Sequence, residues 1–390
     1  MANWSKKKVE ECFTFIKNGA NIRQEKNAGG VPITRIETLS GGVFNRDRLG
    51  YANIETTEKY SSYILESGDL LFSHINSKAY IGRTVLYEKE GNEVIIHGMN
   101  LLRLKVNPSI VFPKFIYYSF QSESFRNQIA SYRKDAVNQS SISVSDLKKV
   151  EIPVPSLADQ QRIIAELDLL SDIVKKKNSQ LKTLDNLAQS IFHETFGNPV
   201  INERNWTTQK MKNVAPEKSF CGQIPEYKGK YWLLNLDMVE SQTGTILEKV
   251  LFESAKIGNS TTTFDEQNVL YSKLRPYLNK VVIPMEPGYC TSELVPLRPQ
   301  KNVLDRIFFA YLLRNPYFVE YINSRVAGAK MPRVNMTDFR EFEVILPPYE
   351  FQRQFASKID AITHQKDDIK ASINLAEDLF NSRMDSFFND

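Results

Sequence analysis

Apolar residues recur along this chain with a helical period in two places. Between 157 and 196 they run Ile163, Leu167, Leu170, Val174, Leu181, Leu184, Ala188 and Ile191, in alternating steps of four and three, with Lys177 as a polar member. That spacing keeps one narrow stripe along an α-helix and makes a coiled-coil seam. The register returns near the end of the chain as Phe355, Ile359, Ile362, Ile369, Ile373, Ala376 and Phe380, with Lys366 as the polar member. Pro155 closes a short apolar strand, Val150 to Val154, and Ser156 or Asp159 can cap the helix that follows. A helix over 157–196 would be about 60 Å long at 1.5 Å per residue. Such a stripe suits a partner helix better than a globular core. Two of them in one chain are expected to pair with each other, antiparallel if a pseudo-twofold relates the halves. The plainer alternative is two amphipathic helices, each packed on its own domain.

The two stripes belong to a longer repeat. IPVPSLADQQRIIAELD (152–168) matches VILPPYEFQRQFASKID (344–360) at an offset of 192, without gaps from Asp146/Asp338 to Phe196/Phe388. Asp146, Glu151, Pro155, Gln160, Asp168, Leu187, Ser190 and Phe196 are identical to their mates. A looser match lies upstream: Asn3-Trp4 with Asn205-Trp206, Ser73 with Ser272, and Phe115, Tyr118, Phe125 and Ile129 with Phe308, Tyr311, Phe318 and Ile322. The order is A–B–A′–B′, a half-length internal repeat. Each A unit mixes short strands, punctuated by Gly, Ser and Asn clusters, with a closing helical stretch, Pro113 to Ile129 and Asp305 to Ile322. Polar loops follow at 137–143 and 328–335.

Composition adds little as a total and more when divided. With 390 residues, 42% apolar and 25% charged, the chain is ordinary globular material, and its net charge is only +4. By segment the net is +5 over 1–144, −2 over 145–203, +6 over 204–336 and −5 over 337–390. The A units are basic and the B helices acidic, which points to polyanion binding in A and not in B. In the first A unit the candidate DNA-facing residues are Arg23, Arg35, Arg46, Arg48, Asn76, Lys78, Arg133, Lys134 and Asn138. In the second they are Lys256, Asn259, Lys273, Arg275, Lys280, Lys330, Arg333 and Asn335. Arg and Lys suit phosphate or guanine, and Asn suits adenine.

Other chemistries find no footing. Cys12, Cys221 and Cys290 are far apart and His74, His97, His193 and His364 are scattered, so neither a disulfide framework nor a metal set is expected. No leader with an apolar h-region follows Met1, and runs such as Val281 to Met285 fall short of the ~20 residues of a membrane helix. A cytoplasmic protein without membrane contact is expected. There is no phosphate loop, dinucleotide cradle or nucleophile elbow. Leu346-Pro347-Pro348-Tyr349 superficially suggests the tetrapeptide of adenine methyltransferases, but Leu346 cannot accept a hydrogen bond from a target amine. Glu341 and Glu343 lack a His or metal partner. No catalytic residue, metal or cofactor site is expected in this chain.

Ile152, Pro153, Pro155, Gln160 and Ile163, set in the A–B–A′–B′ order, resemble the specificity subunit of type I restriction–modification enzymes. The second copy departs, with Ile345 for the first Pro and Phe355 for Ile163, but keeps Pro347 and Gln352. VNQSSISVSDLKKV (137–150), FDEQNVLYSKLRPYLNKVV (264–282) and GYCTSELVPL (288–297) are similar to segments of that family. The resemblance implies an α+β fold: two mixed α/β target-recognition domains separated by two long helices that form an antiparallel coiled coil, in a pseudo-twofold internal repeat. The expected boundaries are 1–149 and 204–341 for recognition, and 150–203 and 342–390 for helical spacers. Each recognition domain would read half of a bipartite double-stranded DNA site. Two modification subunits would dock and supply S-adenosylmethionine chemistry, and restriction subunits would add ATP-driven translocation. Two alternatives are a coiled-coil scaffold without DNA binding and the specificity subunit of a related type II-like system.

Overall fold

The computed structural model describes residues 4–25, 29–137, 139–253, 258, 260–328 and 330–389. The chain divides into two compact units, Met1–Lys176 with Ser372–Asp390, and Lys177–Ala371. Each unit therefore holds one basic segment and half of each long helix. Among the described residues, ten α-helices organise them in chain order. They are α1 (Val9–Cys12), α2 (Pro113–Ser119), α3 (Glu123–Tyr132), α4 (Val144–Lys149), α5 (Leu157–Phe196), α6 (Met211–Val214), α7 (Arg306–Arg314), α8 (Pro316–Asn323), α9 (Met336–Glu341) and α10 (Tyr349–Phe388). The fold is mixed α/β.

In the first unit, Phe13–Asn18, Leu102–Val106, Leu70–Phe72 and Thr84–Leu86 form an antiparallel sheet in that order. Helices α2 and α3 cover it through Phe115, Phe120 and Phe125, with Phe72 edge-on to Phe120 and Phe125. Lys6–Lys8 pairs with Glu151–Pro153 and leads into α1, so the start of the chain is tied beside the start of α5. Ile163 and Leu167 of α5 enter this core together with Met384, Phe387 and Phe388 of α10. The helix segments run in opposite directions: Glu166 is bonded by the Arg383 guanidinium, while Ser171 to Lys175 face Glu377 to Asn381.

The second unit repeats the frame with a different sheet. Thr207–Lys210 pairs with Glu343–Leu346, and Val281–Val282, Val269–Ser272 and Leu294–Leu297 form the inner sheet. A larger sheet, without a counterpart among the described residues of the first unit, carries Lys230–Leu234 and Gly288–Thr291 as a parallel pair. Gly288 is required there, because a Cβ would lie 2.8 Å from the Trp232 ring. Phe192 and Phe196 of α5 pack on Phe308 of α7 and Phe355 of α10 with ring centroids 4.7–5.6 Å apart. Again the helix segments run oppositely, since Lys366 bonds Asp185 while Phe355 meets Phe192.

One polar device recurs in both cores. Gln160 and Gln352 are fully buried on the first turn of α5 and α10. Gln160 Oε1 accepts from Phe112 N–H at 3.0 Å, and its Nε2 donates to Ile110 O and Pro155 O at 2.9 and 3.0 Å. Gln352 Oε1 accepts from Asp305 N–H at 2.8 Å, and its Nε2 donates to Val303 O and Pro347 O at 3.0 and 2.8 Å. Phe112 and Asp305 are the N-cap residues of α2 and α7. One amide thus serves the helix start and the neighbouring layer, using its whole acceptor–donor set.

One expectation from the pattern is corrected, at the same place in both units. The helical stretches Pro113 to Ile129 and Asp305 to Ile322 are each two helices. Ser122 caps α3 by accepting from Phe125 N–H, and Asn315 caps α8 with Pro316, which lacks an N–H, in its first turn. Of the two proposed caps for α5, Ser156 accepts from Asp159 N–H at 3.1 Å. Among the described residues no helix is long and apolar enough to cross a membrane.

Replacing Gln160 by Leu leaves three backbone groups without a partner and is expected to destabilise the first unit by about 3 kcal/mol. Hydrogen exchange of its amides measures this, and Gln352→Leu should produce the same loss in the second unit only. A second expectation concerns pH. Burial pushes the His97 imidazole down to about 3 and that of His74 down to about 4. Unfolded imidazoles take a proton near pH 6.5, so between about pH 6.5 and 4 the unfolded state binds more protons. The first unit should lose stability as pH falls through that window. Thermal unfolding at stepped pH checks it, and His97→Gln should flatten the profile.

Candidate nucleic-acid interface

Both units build the same edge from different residues. After the inner strand ending near Ser73, residues Ile75–Asn76 pair with Ser140–Ser141, which pair in turn with Lys134–Asp135. After the inner strand ending at Ser272, Leu274 bridges to Arg333 in the hairpin of Val326–Ala327 and Arg333–Val334. In each case the loop that follows the two-helix layer folds back as a hairpin against the continuation of the inner strand. The polar loops of the sequence are therefore ordered ladders at their bases.

This edge gathers Asn76, Lys78, Arg133 and Lys134 in the first unit. Arg133 makes two bonds to Asp135, at 2.7 and 3.3 Å, and Lys78 Nζ lies 3.6 Å from the same carboxylate. Ser140 Oγ donates to it at 2.6 Å. Arg133 first, then Ser140, hold the Asp135 carboxyl well below its usual range. Asn76 Nδ2 donates to Ser73 Oγ at 3.1 Å, and Lys134 is exposed. In the second unit the edge gathers Lys273, Arg275, Lys330 and Arg333. Arg333 bonds Glu293 at 2.9 and 3.4 Å, Val334 N–H donates to Lys273 O, and Arg275 N–H donates to Pro332 O at 2.7 Å. Arg275 takes a left-handed backbone (φ 49°) and is exposed, as is Lys330.

Other candidates stand elsewhere. Arg23, Arg35 and Arg48 surround the small sheet of Gln24–Glu25, Gly50–Ala52 and Val31–Ile33. The Arg35 chain lies along Gly50 and pairs with Glu37, while Arg23 and Arg48 are exposed. Arg46 is committed within the chain: it bonds Glu93 at 3.0 and 2.7 Å, Glu90 at 2.8 Å and Glu88 O at 2.7 Å, and lies over the Phe44 ring. The Arg46 hydrogen bond is the main reason the Glu93 carboxyl sits at about 2. Lys280 Nζ donates to Leu236 O at 2.6 Å, and desolvation pushes its pKa down. Asn335 caps α9, accepting from Thr337 N–H at 3.0 Å. Asn138, Lys256 and Asn259 lie outside the described residues.

Two tyrosines were not among the candidates. Tyr80 and Tyr277 are exposed just beyond the edge segments, Tyr80 beneath the Arg83 guanidinium at 4.4 Å and Tyr277 two residues after Arg275. Exposed rings beside cations can stack on bases. The signal was present as SKAYIGR and KLRPYLNK, an aromatic residue interleaved with basic ones. The seam residues behave unevenly: Ile163, Leu167, Leu170, Phe355, Ile359, Ile362 and Ile373 are buried, while Val174, Leu181, Leu184, Ile191, Ile369 and Phe380 are half-buried. Among the described residues no group of His, Cys, Asp and Glu could hold a metal ion.

A sequence profile described as the type I restriction modification DNA specificity domain matches residues 1–183 and again 203–376. The chain is 28% identical over 381 residues to the putative type I restriction enzyme MjaX specificity subunit of Methanocaldococcus jannaschii, covering 92% of this chain and 87% of that protein. It is 24% identical over 232 residues to the type I restriction enzyme EcoKI specificity subunit of Escherichia coli K12, covering 58% of this chain and 49% of that one. Among solved structures, the type I restriction–modification S subunit from M. genitalium has a TM-score of 0.58 at 14% identity, covering 100% of this chain and 96% of that chain. This last likeness is one of fold.

The bonding around Arg46 separates structural from free cations. Arg46→Met should cost about 2 kcal/mol of stability by stranding its carboxylate and carbonyl partners. Lys134→Ala and Arg48→Ala should stay within about 0.5 kcal/mol of the parent. Urea denaturation of the three variants distinguishes them.

Proposed function

The chain belongs to the type I restriction–modification DNA specificity family, and from that premise we propose that it reads a two-part double-stranded DNA site, one half with each basic segment. The observation that carries this reading is the repeated edge, a hairpin laid against the inner strand, with exposed cations and a neighbouring exposed tyrosine in each unit. Carboxylates at its base, Asp135 and Glu293, hold Arg133 and Arg333 in fixed directions, leaving Lys134, Arg275 and Lys330 to meet phosphate. Phosphate contacts position a reader, and base edges specify it. Because the edge residues differ between units, the two half-sites would differ in sequence.

In this proposal α5 and α10 form one antiparallel coiled coil that relates the halves by a pseudo-twofold. The opposite helix directions within each unit and the ion pairs Glu166–Arg383 and Asp185–Lys366 support it. The coil sets the spacer between half-sites. Two modification subunits dock on the chain and bring S-adenosylmethionine and the methyl transfer, and restriction subunits bring ATP-driven translocation and cleavage. The chain itself binds and positions.

Deleting one heptad from each long helix shortens the coil by about 10 Å, roughly three base pairs. Methylome mapping of a host carrying the variant with its modification partner should show a changed spacer and unchanged half-sites. Altered half-sites with the original spacer would overturn the proposal. In a binding assay with the modification partner, affinity should fall steeply as salt rises, and Lys134→Glu should weaken it further.

A further inference from the structure

A cleft in the second unit holds more positive charge than its own carboxylates answer. It encloses about 320 Å³ and is lined by Lys182, Asp185 and Gln189 of α5, Lys366 of α10, and Asn279 and Arg314. Asp185 is the one carboxylate among the described lining residues, and Lys366 Nζ already donates to it at 2.5 Å. Arg314 has no carboxylate within ion-pair distance among the described residues. Its Nε and Nη2 both donate to the neutral Val281 O, at 3.1 and 2.5 Å. Gly244 closes over this pair with a left-handed backbone, where a Cβ would lie 1.7 Å from Val281 O. Desolvation pushes the Arg314 pKa below the ordinary arginine value. Its interactions with Asp185 and the Tyr311 side chain do not offset that desolvation, and the cleft beside it offers the place for a further counter-charge.

The same cleft has unfilled acceptors. Asn279 is 8% exposed, and its Nδ2 donates to Arg314 O at 3.0 Å, which fixes the amide's orientation. Asn279 Oδ1 is then buried without a hydrogen-bond partner, and so is Gln189 Oε1. Buried acceptors of this kind call for a donor. Excess cations and unfilled acceptors together select an anion that carries its own hydrogen.

We propose that this cleft binds inorganic hydrogen phosphate, with Arg314, Lys366 and Lys182 taking the charge and Asn279 Oδ1 accepting the P–O–H hydrogen. Sulfate at neutral pH has no such hydrogen. A phosphodiester has none either, so the cleft is not a contact for the DNA backbone. A phosphomonoester keeps one only below about pH 6. The bound ion joins α5, α10, the turn of Asn279 and the end of α7 within the unit, and stabilises their packing by mass action. This inference is independent of the DNA reading.

Thermal unfolding and titration calorimetry of the full chain at pH 7.5, in chloride of constant ionic strength, test it with phosphate, sulfate and adenosine monophosphate as probes. Phosphate should raise the unfolding temperature with a millimolar or tighter Kd, and sulfate and the monoester should bind at least about tenfold more weakly, since one buried hydrogen bond to a charged group is worth that much. Lys182→Glu, at an exposed position, should remove the phosphate response while leaving the unfolding temperature in chloride unchanged. Lys366→Gln, which frees Asp185 to face the ion, should also weaken it. The proposal is overturned if phosphate acts no differently from chloride, if sulfate or the monoester matches it, or if Lys182→Glu responds as the parent does. DNA binding measured in phosphate-free buffer is expected to be unaffected by any of these outcomes.

Discussion

A single buried amide at the head of each long helix ties the recognition layer of that unit to its helix. A glutamine has one acceptor oxygen and two donor hydrogens, and here they meet one N–H and two carbonyls. A leucine would fill the space and strand all three groups. A glutamate could accept from the N–H but could donate to neither carbonyl. The partners of Gln160 lie in the residue that caps α2, in the turn before it, and in the proline that precedes α5. The start of the two-helix layer and the first turn of α5 are therefore tied directly together. The hairpin that follows α3 inherits that fixed position. The equivalent bonds of Gln352 do the same in the second unit, which is why two rather different sheets carry the same edge.

Charge is arranged on top of this frame and contributes direction more than stability. The pairs Glu166–Arg383 and Arg333–Glu293 are partly exposed, and pairs of that kind are worth little individually. What they fix is orientation. Asp135 draws in Arg133, Lys78 and Ser140, so two cations of that edge are held in place by one carboxylate. The acidic balance of the long helices is used in the same way, with Glu166 and Asp185 each engaging a cation of the opposite helix segment. Arg46 shows the contrasting case, a guanidinium whose surroundings consume it entirely within the chain.

These differences explain what could be read from the sequence. The repeat and the two long helices were legible because apolar period is a local property, and Ile163, Leu167, Phe355 and Ile359 are buried where that period places them. The edge residues were legible only as residue types. Arg46 and Lys134 look alike in sequence, yet Arg46 meets Glu93, 47 residues away, and nothing local announces that contact. The division of the helical stretches at Ser122 and Pro316 was announced by their cap and proline signals and overridden by the apolar stripe that spans both. Gln160 and Gln352 appeared as identities of the repeat, but their burial depends on carbonyls about fifty residues upstream.

The two units also differ in a way that bears on how such a chain can change. Phe196 and Phe388 end the two long helices, and each is buried in the core of its own unit. The strand pairs that lead into α1 and α6, and the glutamine bonds, match residue for residue. Beyond that frame the sheets diverge: the second unit carries the parallel strand pair Leu233–Leu234 with Tyr289–Cys290, while the parallel pairings described in the first are single bridges, Ala20 with Gly98 and Ile33 with Ile96. The glutamine amides and the terminal phenylalanines of the shared frame are buried, so substitutions there cost stability. The edge cations Lys134, Arg275 and Lys330, by contrast, are exposed and cost almost nothing to exchange. A frame held by buried groups lets the exposed residues of each unit vary alone, because those residues are not the ones that hold it in place.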